Sequence, residues 1–178
     1  MKLKKISAML LACGAATIAS AQLNVPVGID VGIFMPSKEL IRDVFGDSWF
    51  RIGLSPLSFQ TPGNWRFTFD LGYLHRSEGG DDVTLVPLTF GMTKSFGSDP
   101  KMLPYVAARI GPYWGDVDSI TFGVHESKVG FNANVAVGVS FDRRFYLEAR
   151  YDHYSEMNDL DFSGFSIAAG IRLFDIKI

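Results

Sequence analysis

The chain has 178 residues, 47% of them hydrophobic, and its 17 Lys and Arg residues nearly balance its 19 Asp and Glu residues, for a net charge of −2. A single cysteine excludes a disulfide framework, and the charge balance gives no basic patch of the kind that binds nucleic acid. The length suits one domain rather than two.

The first predicted element is a secretory signal peptide over residues 1–21. Met1–Lys5 carries three lysines, Ile6–Ile18 is apolar, and Ala19–Ala21 supplies the small residues of a cleavage site. The apolar stretch is too short to span a bilayer as a helix. We therefore expect cleavage after Ala21, which leaves residues 22–178 as a single exported domain.

The only cysteine, Cys13, lies inside this predicted signal. An alternative interpretation makes it the acylated residue of a lipoprotein cleavage box, although the apolar stretch continues past it. Cleavage after Ala21 would remove three of the 17 basic residues and none of the 19 acidic ones, so the exported domain has a net charge of −5. We expect its stability to come from burial and backbone pairing.

Strict alternation predicts strands in the exported domain. Between Trp65 and Arg76, large apolar side chains occupy one parity and polar or small ones the other, and Val129–Phe141 repeats this pattern. Six less regular segments are compatible with it, namely Val25–Met35, Phe50–Phe59, Val83–Lys94, Pro104–Trp114, Phe145–Tyr154 and Ser163–Phe174. A tilted strand needs about 9 to 11 residues to cross a bilayer. We therefore predict an all-β fold, an eight-stranded antiparallel up-and-down transmembrane β-barrel.

The connections between these strands are predicted to alternate in length. Those after the second, fourth and sixth strands are mostly short and rich in turn formers, as in Pro62–Asn64, whereas the others are generally longer. The exception is Ser77–Asp82, between the third and fourth strands, which is not long. Short periplasmic turns and longer outer loops are typical of bacterial barrels. Pro56 and Pro112 interrupt the pairing of the second and fifth strands and leave the register there open.

The first outer loop is predicted to contain a short helix. Ser37 is placed to cap it and Gly46 to end it. Four apolar residues share one face of this helix: Leu40, Ile41, Val44 and Phe45. That face would lie over the barrel mouth or in the membrane interface.

The polar face of the strands indicates which way each face points. In Val129–Phe141 it holds only Gly, Asn, Ala and Ser, which suits the crowded interior of a narrow barrel. The charges on the same parity include arginine but no lysine, and arginine is preferred in desolvated ion pairs. On the lipid side an arginine would cost about 2 to 4 kcal/mol near the midplane. We therefore predict an ionic network in the lumen, formed by Asp30, Arg51, Arg66, Asp70, Arg109, Glu148, Arg150, Asp152 and Arg172.

The C-terminal segment Gly164–Phe174 begins with glycine, alternates, and ends on an aromatic residue. It resembles the closing strand of outer-membrane barrels, and Val86–Gly91 and Pro104–Ala108 are similar to segments of the small outer-membrane β-barrel family, of the OmpW, OmpX and OmpA-barrel type. The resemblance covers essentially the whole exported domain. It implies contact with outer-membrane lipid and lipopolysaccharide, and insertion by the barrel-assembly machinery. It implies no particular activity.

His153 and Ser155 are the one pair of residues in the sequence that could form a catalytic dyad. A histidine two residues before a serine resembles the dyad of the outer-membrane lipid A deacylase, in which the histidine would act as base for a serine nucleophile. Alternation places both side chains on one face at the barrel rim. The resemblance also implies an acid on the next strand, where this chain has Phe165–Ile167 instead. We therefore expect an interfacial pair rather than a catalytic one.

The sequence predicts no metal site and no cofactor. His75, His125 and His153 lie on separate predicted elements without ligand spacing, and the exported domain has no thiolate. The glycines follow strand parity rather than the spacing of a phosphate-binding loop. Acidic pairs in the outer loops are interpreted as solvated surface.

Together these patterns predict an integral outer-membrane protein of a Gram-negative cell envelope. It is expected to be either structural and surface-exposed or a narrow conduit for a small apolar molecule. A lipid A-modifying enzyme that uses His153 and Ser155 is the first alternative. A soluble periplasmic carrier, with the two barrel faces reversed, is the second. The ligand, the partner of the outer loops, the state of any pore and the oligomeric state are left open.

Overall fold

The computed structural model describes residues 24–60, 64–97, 99 and 101–177. The predicted signal peptide, its cleavage site and residues 61–63 of the turn around Pro62 lie outside these ranges. The described chain forms eight strands and one helix: β1 (Asn24–Pro36), α1 (Glu39–Phe45), β2 (Trp49–Gln60), β3 (Trp65–Glu78), β4 (Asp81–Ser95), β5 (Met102–Ser119), β6 (Val124–Phe141), β7 (Phe145–Tyr154) and β8 (Gly164–Lys177).

The eight strands form one closed antiparallel barrel. Each strand pairs with the next in sequence, and β1 closes the barrel by pairing with β8 from Asn24–Lys177 to Pro36–Gly164. Closure leaves no strand edge unpaired, which a barrel in lipid requires because hydrocarbon offers no hydrogen-bonding groups. The predicted fold class is confirmed.

The hairpin of β5 and β6 is longer than predicted. Each strand has 18 residues, and the connection between them is the short turn 120–123. The long outer loop expected after the fifth strand is therefore wrong. The connection between β3 and β4 is short, as expected, and consists of Gly79 and Gly80, both at positive φ. Instead, β5 and β6 continue as a hairpin beyond the part of the barrel whose outer face is apolar.

The two prolines affect the register differently. Pairing of β2 with β3 shifts by one residue between Leu54 and Leu57, so a bulge falls at Pro56. Pro112 pairs with Phe131 in unbroken register between β5 and β6. Its ring lies on the exposed face of the barrel, where it causes no shift in that ladder.

The two faces of the barrel differ in chemistry. Large apolar side chains are exposed on the outside, including Ile33 (54%), Leu54 (52%), Val135 (59%) and Phe165 (55%). Arginines and carboxylates are buried on the inside, where Arg51 is 1% exposed. Within the described residues, no helix has the length and hydrophobicity needed to cross a bilayer. A soluble carrier requires the opposite arrangement of faces, so that alternative does not match the structure.

Helix α1 lies over one end of the barrel, here called the outer end. Ile41 and Phe45 are buried against the barrel, whereas Leu40 is 56% exposed. The predicted cap is wrong, since Lys38 rather than Ser37 occupies the N-cap position and makes no side-chain capping bond. The helix ends at Gly46 as expected, with φ at 81° and its N–H donating to Arg42 O.

Candidate functional site

The inside of the barrel brings six of the nine predicted network residues together. They come from five strands: Asp30 (β1), Arg51 (β2), Asp70 (β3), Arg109 (β5), Glu148 and Arg150 (β7). All six are buried. Because successive side chains on a strand point to opposite faces, each stands inward while its neighbours face outward.

Arg51 and Arg150 both bind Asp70. Arg150 Nη1 donates to Asp70 Oδ2 at 2.5 Å, and Arg51 Nη2 donates to the same oxygen at 3.5 Å. Arg51 also donates to Asp30 Oδ1. These contacts join β1, β2 and β3 to one another and, across the inside of the barrel, to β7.

Glu148 is the other centre of the network. Arg109 donates to its two oxygens at 3.2 and 2.9 Å, and Arg150 donates to Oε1 from Nε at 3.0 Å and from Nη2 at 2.7 Å. Tyr105 OH donates to Oε2 at 3.0 Å. A buried carboxylate with this many donors is held in a single position, and buried charges are tolerated where their partners are complete.

The other three predicted members are Asp152, Arg66 and Arg172. Asp152 is buried and accepts a hydrogen bond of 3.3 Å from Ser166 Oγ, while its Oδ1 has no partner among the described residues. Arg66 donates to Ser95 Oγ at 2.6 Å, near the end of the barrel opposite α1. Arg172 is partly exposed, and its backbone N–H pairs with Arg144 O at 2.7 Å.

Two tyrosines complete the network and were not predicted. Tyr105 binds Glu148, and Tyr146 OH donates to Asp30 Oδ2 at 3.1 Å. Both rings occupy the space above an inward glycine: a Cβ at Gly138 would lie 2.4 Å from Tyr105 Cζ, and one at Gly170 would lie 2.0 Å from Tyr146 Cζ. The signal in the sequence was parity, since each tyrosine has the same parity as the predicted charged residues on its strand and so faces the same side.

A hydrophobic cluster closes the outer end above the ionic network. We call it the mouth cluster; it consists of Phe34, Ile41, Phe45, Trp49, Leu74, Val83, Leu85, Tyr113, Val117, Tyr154, Met157, Leu160 and Phe162. Trp49 is at its centre, with ring centroids 5.3 Å from Phe34, 6.2 Å from Phe45 and 6.1 Å from Phe162. Helix α1 supplies two members of this cluster, and the last outer loop (residues 155–163) supplies three. Both segments are therefore held at the barrel mouth by apolar burial.

Hydrogen bonds at Asp81 join two outer hairpins, that of β3 and β4 and that of β5 and β6. Its Oδ1 accepts from Ser119 Oγ at 2.6 Å and from Thr121 N at 3.0 Å, and its Oδ2 accepts from Thr121 Oγ1 at 2.7 Å. These bonds favour the ionised carboxylate and lower the pKa of Asp81 below its ordinary value.

His153 and Ser155 do not form the expected pair. His153 Nδ1 lies 3.1 Å from Ser163 Oγ instead. Strand β7 ends at Tyr154, and Ser155 turns back to β6, where its Oγ accepts from Phe131 N at 2.9 Å and its N–H donates to Phe131 O at 2.8 Å. The alternation that would have placed both side chains on one face stops before Ser155.

The other two histidines each lie near one aspartate. His75 Nδ1 is 3.8 Å from Asp82 and His125 Nδ1 is 3.5 Å from Asp118, on the outer parts of the hairpins. Over the ranges that the structure describes, no group of three or more His, Cys, Asp or Glu residues has a metal-binding arrangement.

The fold matches solved structures of small outer-membrane barrels. Neisserial surface protein A aligns with a TM-score of 0.63 and 18% identity over 84% of this chain and 97% of its own. The outer membrane enzyme PagL aligns with a TM-score of 0.61 and 17% identity over 82% and 99%. The Yersinia pestis outer membrane protein Ail, in a phospholipid bilayer nanodisc, aligns at 0.50 and 16% over 84% and 99%. No family model and no curated protein sequence matches the chain. The chain thus has the eight-stranded fold of these proteins.

Proposed function

We propose that this protein is an integral outer-membrane barrel with a closed interior and a surface-exposed outer end. The observation that carries the proposal is the sidedness of the barrel. Apolar side chains face outward around it and its arginines and carboxylates face inward. Burying such an apolar outer face in hydrocarbon is favourable, whereas in water it would be a large exposed patch of the kind that aggregates.

The interior supports a structural role over that of a conduit. The ionic network fills the middle of the barrel, and the mouth cluster fills its outer end. Eight strands enclose a space about wide enough for side chains alone. A solute passing from the outer end would have to displace Trp49 and then separate buried ion pairs, and breaking such a pair costs about 3 to 5 kcal/mol.

The export route and partners belong to the same proposal. A signal peptide cleaved after Ala21 would deliver the chain to the periplasm, and the barrel-assembly machinery would insert it. The exposed outer face would contact outer-membrane lipid and lipopolysaccharide. We propose no catalytic role, since His153 and Ser155 each have another hydrogen-bond partner.

Cell fractionation with heat-dependent gel mobility tests the location. We expect the mature protein in the outer-membrane fraction, with faster migration before boiling than after, because a closed barrel resists detergent. N-terminal sequencing of that band should begin at Gln22. A soluble periplasmic protein without a mobility shift would contradict the proposal.

A further inference from the structure

A groove runs across the outward face of strands β4 to β7. It is an open groove with a volume of about 540 Å³, within the range of about 300–1,000 Å³ that is usual for sites of small ligands. Ala108 and Ala133 form its shallow floor, and Phe90, Met92 and Tyr151 rise around it. Small side chains on neighbouring strands, flanked by larger ones, thus leave a hollow in an otherwise convex apolar surface.

One wall of the groove is held in place. The Tyr151 ring packs against Phe165 of β8 with centroids 4.8 Å apart. Phe90 pairs with Ile110 and Val135 with Tyr151 across the strand ladders, so the walls are supported by backbone pairing. A preformed hollow gives a flexible chain more dispersion contacts than a convex surface does.

A polar group lies at the outer end of the groove. His153 lines the groove and is exposed. Ser163 Oγ accepts from Tyr154 N at 3.1 Å, and its hydroxyl hydrogen can be donated to His153 Nδ1, which also lies 3.1 Å away. In that arrangement Nδ1 is the acceptor and Nε2 carries a hydrogen. Ser163 thus positions the imidazole ring, and the tautomer with hydrogen on Nε2 presents a donor to the membrane interface.

An apolar hollow that ends in one hydrogen-bond donor fits an amphiphile whose apolar chain is followed by a hydrogen-bond acceptor. The barrel surface here faces hydrocarbon, so an acyl chain is the group that fills the hollow. The first polar atom beyond such a chain is the carbonyl oxygen of its ester or amide bond, which His153 Nε2–H can satisfy. Because His153 is at the outer end of β7, that carbonyl belongs to the outer leaflet.

We propose that this groove holds one acyl chain of lipid A, with the acyl carbonyl hydrogen-bonded to His153. The proposal rests on the outer-membrane location proposed above. It assigns His153 a binding role, with Ser163 as the residue that positions its ring. Ala108 and Ala133 leave room for the acyl chain, since a larger side chain at either position would occupy its space.

Native mass spectrometry of the protein extracted from outer membranes in mild detergent tests the proposal. We expect the wild type to retain one lipid A molecule. The double variant A108L/A133L, which fills the floor, should retain at least tenfold less. Its matched control is A149L/A169L, which places the same two side chains on the lipid-facing surface of β7 and β8, and this variant should retain as much as the wild type.

Substitutions of His153 test the donor separately. H153F keeps a ring but removes the donor and should lower retention severalfold, whereas H153Q keeps an N–H donor and should restore most of it. The heat-dependent mobility shift of each variant establishes that the barrel has folded in the membrane. Variants that show this shift but retain as much lipid A as the wild type would overturn the groove proposal and leave the outer-membrane proposal intact. Retention of phospholipid in place of lipid A would overturn it too.

Discussion

Arg109 on β5 and Glu148 on β7 are joined by hydrogen bonds of 3.2 and 2.9 Å, although strand β6 lies between their strands. Asn134 on the intervening strand accepts from the same guanidinium at 3.3 Å. The pair therefore crosses the inside of the barrel and links strands that share no backbone ladder. Both side chains are buried, so Arg109 depends on Glu148 for compensation of its charge, and Glu148 depends on Arg109 together with Arg150.

Replacing Glu148 with glutamine should strongly destabilise the barrel. The substitution removes the charge that compensates Arg109 and Arg150, and loss of one partner in a buried pair costs about 3 to 5 kcal/mol. Urea unfolding in phospholipid vesicles, followed by tryptophan fluorescence, measures the change. Glu156→Gln is the control because Glu156 is exposed. Equal unfolding midpoints for the two variants would show that the network adds no stability.

Adding a methyl group at Gly170 should displace Tyr146. A Cβ there would lie 2.0 Å from Tyr146 Cζ, so the ring must move away from Asp30. Such overpacking costs about 1 to 3 kcal/mol. In the Tyr146→Ala background, Gly170→Ala should cost almost nothing, since the ring is absent. Additive losses in the double variant, measured by the same urea unfolding, would refute this steric explanation.

Phe45→Ala should loosen the outer end without unfolding the barrel. Phe45 is fully buried in the mouth cluster, and truncating a buried phenylalanine costs about 3 to 5 kcal/mol. We expect limited proteolysis to cut the segment 37–48 faster, while the barrel fragment stays protected. Leu40→Ala, on the exposed face of the same helix, should be cut at the wild-type rate. Equal rates for both variants would mean that α1 is not fixed by the cluster.

Acid should release the contact between the two outer hairpins. Hydrogen bonds from Ser119 and Thr121 lower the pKa of Asp81, so their stabilisation is present above the ordinary aspartate value of about 3.9 and is lost as pH falls through the lowered value. Hydrogen exchange at the Thr121 amide should therefore be well protected at pH 6 and lose protection as the pH falls below the ordinary aspartate value, after correction for intrinsic rates. Asp81→Asn should remove this dependence, whereas Asp82→Asn should preserve it. Protection of Thr121 that does not change with pH in the wild type would contradict the account.

Lipid A should be chemically unchanged by this protein. Because Ser155 Oγ is bound to the β6 backbone and His153 to Ser163, the two are not arranged as nucleophile and base. Mass spectra of lipid A from cells expressing the wild type and Ser155→Ala should be identical, with all acyl chains present. Loss of an acyl chain in the wild type alone would establish the enzymatic alternative.

Alternation in the sequence was sufficient to predict eight strands and the direction of their faces. It could not show how far β5 and β6 extend, because Asp116 and Asp118 on the exposed parity replace the apolar residues that mark a lipid-facing strand. The outer parts of these strands stand clear of the bilayer, where a two-faced hairpin needs no apolar belt. Sequence parity therefore indicates the membrane part of a strand better than its full length.

The candidate site was less predictable than the fold. Parity placed the charged residues, but the tyrosine partners depend on which inward position opposite them is a glycine, as at Gly138 and Gly170. The partner of His153 depended on the end of β7. Strand β7 ends at Tyr154, the Ser155 side chain binds the β6 backbone, and the loop 155–163 brings Ser163 to the histidine. Both are three-dimensional relationships between distant segments.

Conductance in planar lipid bilayers tests the closed interior most directly. Purified barrel that shows the heat-dependent mobility shift should insert without producing discrete current steps, because the ionic network fills the middle of the barrel and the mouth cluster fills its outer end. Reproducible single-channel steps from the folded wild type, absent from a buffer and detergent control, would contradict the closed interior and establish a conduit.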